Sequence, residues 1–181
     1  MPQIESYERP TTRKHVQSFL GKINYYRAHI PNLAKIAAPL YDLTKKSNDF
    51  RWGSDEQQSF EDLKCAFKAR IVLAPIRNGV EYKLYTDASG IACGAVLMQE
   101  AKPVEFYSRK FSPVEQRYSA HEREALAMVT SIKHFRVILQ GNSFELYTDH
   151  QPLTYWLERP SVNDRHSRWI VALQDMDFKV K

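Results

Sequence analysis

The sequence predicts a mixed α/β (α+β) protein in which a helical first half is followed by a mixed β-sheet flanked by helices. Apolar residues recur at the spacing of one helix face through the first half. Strand-like runs separated by short turns begin after a turn-rich segment at residues 76–81. With 181 residues, 43% of them hydrophobic, the chain can bury a core.

Two helical segments open the chain. In TTRKHVQSFLGKINYYRAHIPNL the apolar residues share one face, and we expect Thr11 or Thr12 to cap the helix and Pro31 to end it. The next segment, NLAKIAAPLYDLTKK, contains Pro39, which predicts a kink or a break into two short helices.

A third helix and a three-stranded meander are predicted next. The helix begins at SDEQQSFEDLKCAFKA, where Ser54 and Gln57 have the spacing of a capping box. The runs YKLYTD, ACGAVLMQ and PVEFYSRKF then predict three strands, with turns at Gly90 and at residues 100–101. Because the turns are short, we expect these strands to be antiparallel.

The rest of the chain alternates helix and strand. SAHEREALAMVTSIKHFRVIL predicts a helix that begins with a capping box, Ser119 with Glu122, and ends before Gly141 and Asn142. FELYTDH predicts a fourth strand, QPLTYWLE a short helix, DRHSRWIVALQD another helix and FKVK a last strand. The predicted order of this half is β-β-β-α-β-α.

Two of the predicted strands end alike, in LYTDA and LYTDH, so that Asp87 and Asp149 each stand at a strand terminus. If the two strands are parallel neighbours, both aspartates emerge at one edge of the sheet, and Glu122 and Glu124 in the first turns of the intervening helix lie beside it. Each residue also has an ordinary explanation, because aspartate is common in turns and glutamate is favoured at helix N-termini.

Carboxylates gathered in this way require cations. Two unit charges about 4 Å apart repel by about 4 kcal/mol at an effective dielectric constant near 20. Oxygen ligands indicate Mg²⁺, and a pair of such ions is a common means of cleaving a phosphodiester. The pattern therefore predicts either a metal-dependent nuclease or a set of unrelated structural carboxylates.

Long blocks of the chain resemble a known family. YTDASGIACGAVLMQ, PVEFYSRKFSPVEQRYSAHEREALAMV and FELYTDHQPLTYW resemble the ribonuclease H domain of Ty3/Gypsy-type retrotransposon reverse transcriptases. SFLGKINYYRAHIPNLAKIAAPLYDLTKK and FRWGSDEQQSFEDLKCAF are similar to the thumb and connection region that precedes it. The resemblance implies a helical thumb/connection-like region at residues 1–78 and a ribonuclease H-like domain at residues 79–181.

The resemblance also implies roles for individual residues. Asp87, Glu124 and Asp149 match the catalytic metal ligands of the first strand, the helix and the fourth strand. The implied cofactor is a pair of Mg²⁺ ions, for which Mn²⁺ can substitute. Glu122 is then left with its capping role.

Two features of the family pattern are missing from the sequence. The family supplies a fourth aspartate in a Val-Ala-Asp-Ala-Leu-like segment, and the chain reaches Lys181 without one, so we expect the domain to be C-terminally incomplete. Asp164, Asp175 and Asp177 stand in other contexts. The chain also has no Asp-Asp pair, and hence no polymerase active site.

The implied function is endonucleolytic hydrolysis of the RNA strand of RNA–DNA hybrids during reverse transcription, with the hybrid and the rest of the polyprotein as partners. Such a protein recognises the hybrid by backbone shape and 2′-hydroxyl groups. An integrase-type transferase is an alternative, but it would place its glutamate after both aspartates. A second alternative is a catalytically impaired or captured module that binds nucleic acid or a protein without cleavage.

The excess of positive over negative charge lies in the first half. Residues 1–80 contain 13 Lys and Arg against 8 Asp and Glu, whereas residues 81–181 contain 13 of each. Four basic residues of the first predicted helix are candidate phosphate contacts: Arg13, Lys14, Lys22 and Arg27. The other interpretation is that they form a solvated helix face. Four aromatic residues could stack on nucleotides or pack in the core: Tyr25, Tyr26, Tyr155 and Trp156.

The sequence also predicts where the protein resides. No apolar run reaches the roughly 20 residues of a membrane span, and the N-terminus lacks the apolar stretch of a secretory signal. Two cysteines in unrelated contexts, Cys65 and Cys93, predict reduced thiols. We therefore expect an intracellular protein without membrane contact, and the resemblance implies the cytoplasm, a virus-like particle or the nucleus.

Overall fold

The computed structural model describes residue 4 and residues 6–69, 71–148 and 164–181, with the backbone alone for residues 164–166. The helices are α1 (Arg13–Asn24), α2 (Leu33–Ile36), α3 (Ala38–Leu43), α4 (Ser54–Lys68), α5 (Ala120–His134), α6 (Arg136–Leu139) and α7 (Asp164–Val171). The strands are β1 (Tyr82–Ala88), β2 (Ala92–Gln99), β3 (Lys102–Lys110), β4 (Phe144–Tyr147) and β5 (Phe178–Val180). The short helix predicted in QPLTYWLE lies outside the described residues.

The five strands form one mixed sheet in the order β3-β2-β1-β4-β5. The first three strands are antiparallel neighbours, and β4 is parallel to both β1 and β5. Glu100 and Ala101 turn β2 into β3 with positive φ angles of 47° and 61°, the backbone geometry of a tight hairpin. The predicted α/β class and the antiparallel meander are confirmed.

One face of the sheet packs against α5. Tyr82 and Leu84 of β1 are buried against Met128 and Ile132 of that helix. The alternate residues of β1, Lys83, Tyr85 and Asp87, therefore point to the opposite face. This alternation decides which side chains of β1 can reach solvent.

The N-terminal helices have a core of their own, in which Phe19, Leu40, Leu63 and Phe67 are almost fully buried. They rest on the sheet face opposite α5, over β2 and β3. The boundary between residues 78 and 79 stays a prediction.

Polar contacts join the N-terminal helices to β3. The backbone N–H of Ala34 donates to Ser108 Oγ at 2.9 Å, and Lys110 Nζ donates to both carboxylate oxygens of Asp42 at 2.9 Å. Hydrogen bonds thus fix the helices on the sheet.

The first helix begins where predicted and ends earlier than predicted. Thr12 Oγ1 accepts a hydrogen bond from the backbone N–H of His15 at 3.2 Å and caps α1. The prediction that Pro31 ends the helix is wrong, because α1 ends at Asn24. The N–H of Tyr26 bonds to the carbonyl of Ile23, which tightens the last turn, and a 3₁₀ turn over Arg27–His29 follows.

The break predicted at Pro39 is confirmed, because α2 and α3 are separate helices that meet at Ala37. The capping box predicted for α4 is wrong by one residue. Gly53 is the N-cap, and its N–H donates to the Glu56 carboxylate at 2.9 Å. Gln57 instead accepts a hydrogen bond from the indole N–H of Trp52 at 2.9 Å.

The capping box predicted for α5 is confirmed. Ser119 Oγ accepts from the N–H of Glu122 at 3.2 Å, and the Glu122 carboxylate accepts from the N–H of Ser119 at 3.0 Å. The predicted helix is divided at Phe135 into α5 and α6, and Gly141 ends it with a φ of 80°.

The longest helices of the described residues, α4 and α5, have 15 residues each, and no described helix combines the length and the apolar character that a membrane crossing requires. Both cysteines are free thiols, as predicted, with Cys65 at the surface and Cys93 buried.

Candidate active site

The repeated Leu-Tyr-Thr-Asp segments lie side by side where the structure describes them. In the parallel pair of β1 and β4, Leu84 is opposite Leu146 and Tyr85 is opposite Tyr147. The two tyrosine rings stack with centroids 4.6 Å apart. The condition that these two strands be parallel neighbours is therefore met. Asp149 lies outside the described residues.

A hydrogen-bonded network holds Tyr147, one of the two stacked rings, in place. The Tyr147 hydroxyl donates to Glu145 at 2.8 Å, and Lys83 and Lys181 lie 3.5 Å from the same carboxylate. The hydrogen bond from Tyr147 holds the pKa of Glu145 below its usual value and raises the pKa of Tyr147. Charged residues therefore fix the aromatic pair on the sheet face that carries Asp87.

Asp87 is exposed and stands opposite Gly94 in the antiparallel pair of β1 and β2. Asn32, which has a left-handed backbone with φ of 54°, lies over Gly94. A β-carbon at position 94 would be 2.6 Å from Asn32 Oδ1, so any larger residue there would force the Asn32 side chain to move. A furrow of about 200 Å³ between Asn32, Asp87 and Phe106 remains open beside it.

Glu124 reaches the same end of β1 from α5. Its Oε1 accepts a hydrogen bond at 3.2 Å from the backbone N–H of Ala88, which belongs to the peptide that joins Asp87 to Ala88. The side chain is half-buried, and the neighbouring Ala125 is buried. Glu124 and Asp87 therefore lie at the same end of β1, although they come from different elements.

Glu122 completes the capping box of α5. Asp175 and Asp177 lie at the other end of the sheet, because the carbonyl of Asp177 accepts from the N–H of Phe144 at the start of β4. Asp175 forms an ion pair with Arg136. The side chain of Asp164 lies outside the described residues.

The donor set at the rim matches the preference of Mg²⁺ for carboxylate oxygens. Asp87 offers an exposed carboxylate, and Glu124 is oriented by a backbone hydrogen bond. Within the described residues, no group of three His, Cys, Asp or Glu side chains could hold a metal ion. The described part of the rim thus offers two carboxylates, those of Asp87 and Glu124.

The predicted phosphate contacts of the first helix differ in their surroundings. Arg13 is half-buried and donates to the carbonyls of Leu43 at 3.1 Å and Asn48 at 2.6 Å. Lys14, Lys22 and Arg27 are exposed. These three can reach a ligand without breaking a described hydrogen bond, whereas Arg13 cannot.

The predicted stacking residues also divide. Tyr25 is 83% exposed, whereas the ring of Tyr26 packs edge-on against Phe67 at 5.0 Å. Tyr155 and Trp156 lie outside the described residues. Sequence reasoning did not single out Asn32, although asparagine after proline in HIPNL is turn chemistry that tolerates positive φ.

Comparison with known proteins identifies what this arrangement resembles. A family model described as an RNase H-like domain found in reverse transcriptase matches residues 79–176, which is more than half of the chain. The Tf2-3 and Tf2-4 transposon polyproteins of Schizosaccharomyces pombe are each 34% identical over 187 aligned residues. The alignment covers 98% of this chain, and the chain spans 14% of the length of these curated relatives.

Solved structures share the fold. The foamy viral protease-reverse transcriptase dRH in complex with double-stranded DNA matches 98% of this chain and 33% of its own, with a TM-score of 0.80 at 24% identity. The foamy viral protease-reverse transcriptase in complex with an RNA/DNA hybrid matches 98% of this chain and 25% of its own, with a TM-score of 0.78 at 25% identity. Both likenesses extend over the N-terminal helices as well as the sheet.

Proposed function

The chain belongs to the family of RNase H-like domains found in reverse transcriptases, and from this membership we propose that it hydrolyses the RNA strand of RNA–DNA hybrids within a retroelement polyprotein. The observation that carries the proposal is the hydrogen bond from Ala88 to Glu124, which brings a second carboxylate to the peptide beside Asp87.

In this proposal Asp87, Glu124 and Asp149 are the metal-binding carboxylates. Asp149 is included because Leu146 and Tyr147 are in register with Leu84 and Tyr85, which precede Asp87 by the same spacing. We assign nuclease chemistry to residues 79–181 and contacts to the rest of the polyprotein and to the substrate to residues 1–78.

The mechanism follows from what each side chain can do. The cofactor would be two Mg²⁺ ions, with Mn²⁺ as a substitute; when bound, they supply a water of lowered pKa and positive charge beside the scissile phosphate. Glu124 is held by the N–H of Ala88, so its carboxylate does not have to reorganise. Asp87 projects from a paired strand, which fixes its direction, and its exposure leaves it open to a phosphodiester.

Substrate recognition would rest on the backbone of the hybrid. Lys14, Lys22 and Arg27 are exposed and can neutralise phosphates, and such contacts make binding fall with salt concentration. The RNA strand would be distinguished by its 2′-hydroxyl groups. The expected location is intracellular, where reverse transcription takes place.

The test is cleavage of a labelled RNA–DNA hybrid by the full chain in Mg²⁺, with a chelator as the negative condition. We expect Asp87→Asn and Glu124→Gln to lower the rate more than about 100-fold, or about 2.7 kcal/mol of transition-state stabilisation. Glu122→Gln is the matched control. It removes the same charge two residues away, and glutamine can still complete the capping box, so cleavage should persist.

Thermal unfolding of each variant separates loss of chemistry from loss of fold. Unchanged cleavage by Asp87→Asn would show that the assigned rim is wrong. Binding of the hybrid without cleavage by the unaltered chain would indicate the non-cleaving module instead.

A further inference from the structure

Asn32 carries a side chain that its own helix does not use. An asparagine before a helix usually caps it, because the side-chain oxygen accepts a hydrogen bond from a backbone N–H of the first turn. Asn32 stands at the N-cap of α2 with a left-handed backbone and makes no such hydrogen bond. The N–H of Ala34 donates instead to Ser108 Oγ of β3, at 2.9 Å. The amide of Asn32 is thus released from capping.

This amide lies beside Asp87. Gly94 is the cross-strand partner of Asp87, and the β-carbon positions of such partners are about 5 Å apart. Asn32 Oδ1 lies 2.6 Å from the place that a β-carbon of residue 94 would take. Asn32 and Asp87 therefore border the same furrow of about 200 Å³, although they come from different halves of the chain.

The lining of the furrow favours a neutral polar group over a phosphate. Asp87 is the one charged side chain among the described lining residues, so no cation there would attract a phosphate. Asn32 supplies an amide that can both donate and accept hydrogen bonds. Pro31, Val96 and Phe106 supply apolar walls. A ribose suits this lining, because it presents C–H groups to the walls and a 2′-hydroxyl, itself a donor and an acceptor, to the amide.

We propose that Asn32 binds the 2′-hydroxyl of a nucleotide next to the scissile phosphate, so that the N-terminal helices contribute an RNA-recognising side chain to the Asp87 rim. The identity of the substrate rests on the proposed function. Gly94 makes the contact possible, because it leaves room for the amide between Asp87 and Ser108 in one row across the sheet. A DNA strand lacks the hydroxyl and leaves the amide without this partner.

The competing interpretation is that Asn32 only turns the chain after Pro31. Asparagine tolerates a left-handed backbone, which accounts for its φ of 54°. A turn residue would affect the stability of the protein alone. A substrate contact has an effect that depends on one hydroxyl group of the RNA, and this difference decides between the two interpretations.

The experiment combines variants of the full chain with modified substrates. Labelled RNA–DNA hybrids, each with a single 2′-deoxynucleotide at one position near the cleavage site, are compared with the unmodified hybrid for kcat/KM in Mg²⁺. Asn32→Gly removes the amide and tolerates the left-handed backbone. We expect it to lower kcat/KM about 5- to 10-fold, the effect of one lost hydrogen bond. At one position the 2′-deoxy substitution should cost the unaltered chain the same factor and should cost the variant almost nothing.

Asn78→Gly is the matched control. Asn78 is exposed, and it lies at the other end of the sheet, because the neighbouring Arg77 bonds to Gln99 at the end of β2. Its kcat/KM and its response to every 2′-deoxy position should equal those of the unaltered chain. Gly94→Ala, which displaces the amide without removing it, should reproduce part of the Asn32→Gly effect.

Binding in the presence of a chelator separates this inference from the proposed function. Asn32→Gly should weaken binding of the hybrid and leave binding of a DNA duplex of the same sequence unchanged. Equal 2′-deoxy effects in Asn32→Gly and the unaltered chain at every position would overturn the contact, even if the chain cleaves the hybrid. A chain that never cleaves, but loses its preference for the hybrid in Asn32→Gly, would overturn the proposed function and leave the contact standing. Equal affinity of the unaltered chain for hybrid and DNA duplex, without cleavage, would overturn both.

Discussion

Asp87 and Glu124 are fixed at the rim by different means. The pairing of β1 with β2, in which Asp87 is opposite Gly94, sets the direction of the Asp87 side chain. The start of α5 and the hydrogen bond from the N–H of Ala88 set the position of Glu124. The sequence predicted the positions of both carboxylates because each stands next to a strong local signal, Asp87 at a strand end and Glu124 just after a capping box. It could not identify Asn32, whose contact with Gly94 joins distant parts of the chain.

The contact between Asn32 and Gly94 can be tested by a double-mutant cycle. Gly94→Ala should destabilise the protein by about 1 kcal/mol, because the new β-carbon would lie 2.6 Å from Asn32 Oδ1. Asn32→Gly removes the side chain and tolerates the φ of 54°, so Gly94→Ala should cost much less in that background. Urea unfolding measures the free energy of unfolding of the unaltered chain, the two single variants and the double variant.

A cost of Gly94→Ala that is the same with and without the Asn32 side chain would contradict this contact. Gly90→Ala is a suitable control, because no atom lies within 4 Å of a β-carbon at that position.

At the scale of elements, an ion pair ties α3 to β3. Burial alone would raise the pKa of Asp42, but hydrogen bonds from Lys45 and Lys110 outweigh it and hold the pKa below its usual value. A carboxyl group with a lowered pKa in the folded state stabilises the fold above its unfolded pKa, and this stabilisation is lost as the pH falls through the folded pKa.

Asp42→Asn should therefore lower the free energy of unfolding by about 0.5–1 kcal/mol near neutral pH, the range of a partly exposed pair. The difference from the unaltered chain should shrink as the pH falls below about 4. Denaturant unfolding over a pH series measures this difference in the free energy of unfolding. Asp49→Asn, which changes a highly exposed carboxylate, is the control. A difference that grows in acid would contradict the sign of the shift.

The elements differ in how far local sequence predicts them. The box of Ser119 and Glu122 predicts the start of α5, because both partners of the motif lie within one turn. The same reasoning misplaces the cap of α4 by one residue. The indole N–H of Trp52, which precedes the helix, donates to Gln57, and the Glu56 carboxylate accepts from the N–H of the true N-cap, Gly53. The end of α1 also depends on packing, because Tyr26 turns inward to Phe67.

At the scale of the whole molecule, the apolar core is divided. Leu63 belongs to the cluster of the N-terminal helices, and Leu84 belongs to the cluster between the sheet and α5. Both side chains are fully buried. The described connections between the two parts include the contacts of Ser108 and Lys110, which are polar.

Leu63→Ala should cost about 2–5 kcal/mol, as is usual for a buried leucine, and should loosen the N-terminal helices more than the sheet. Native-state hydrogen exchange should show faster exchange in α1 and α4 than in β1. Leu84→Ala is the reciprocal control and should reverse the pattern. Equal acceleration throughout the chain in both variants would show that the two clusters unfold as one unit.

The fold class was predictable because strand and helix periodicities are local. The parallel pairing of β1 with β4 was only a condition of the sequence argument, raised by the repeated Leu-Tyr-Thr-Asp segments, and the structure meets that condition. The position of the N-terminal helices on the sheet could not be predicted from the sequence. It depends on contacts such as Ala34 with Ser108, in which neither residue belongs to a recognisable motif.

The central place of β1 affects the order in which the chain can assemble. Its antiparallel partner β2 follows at once, but its parallel partner β4 is synthesised only after β3, α5 and α6. Contacts between distant segments form slowly, because loop closure must precede them. A nascent chain can therefore fold the β1–β2 hairpin early, yet it cannot complete the surroundings of Asp87 until β4 has left the ribosome.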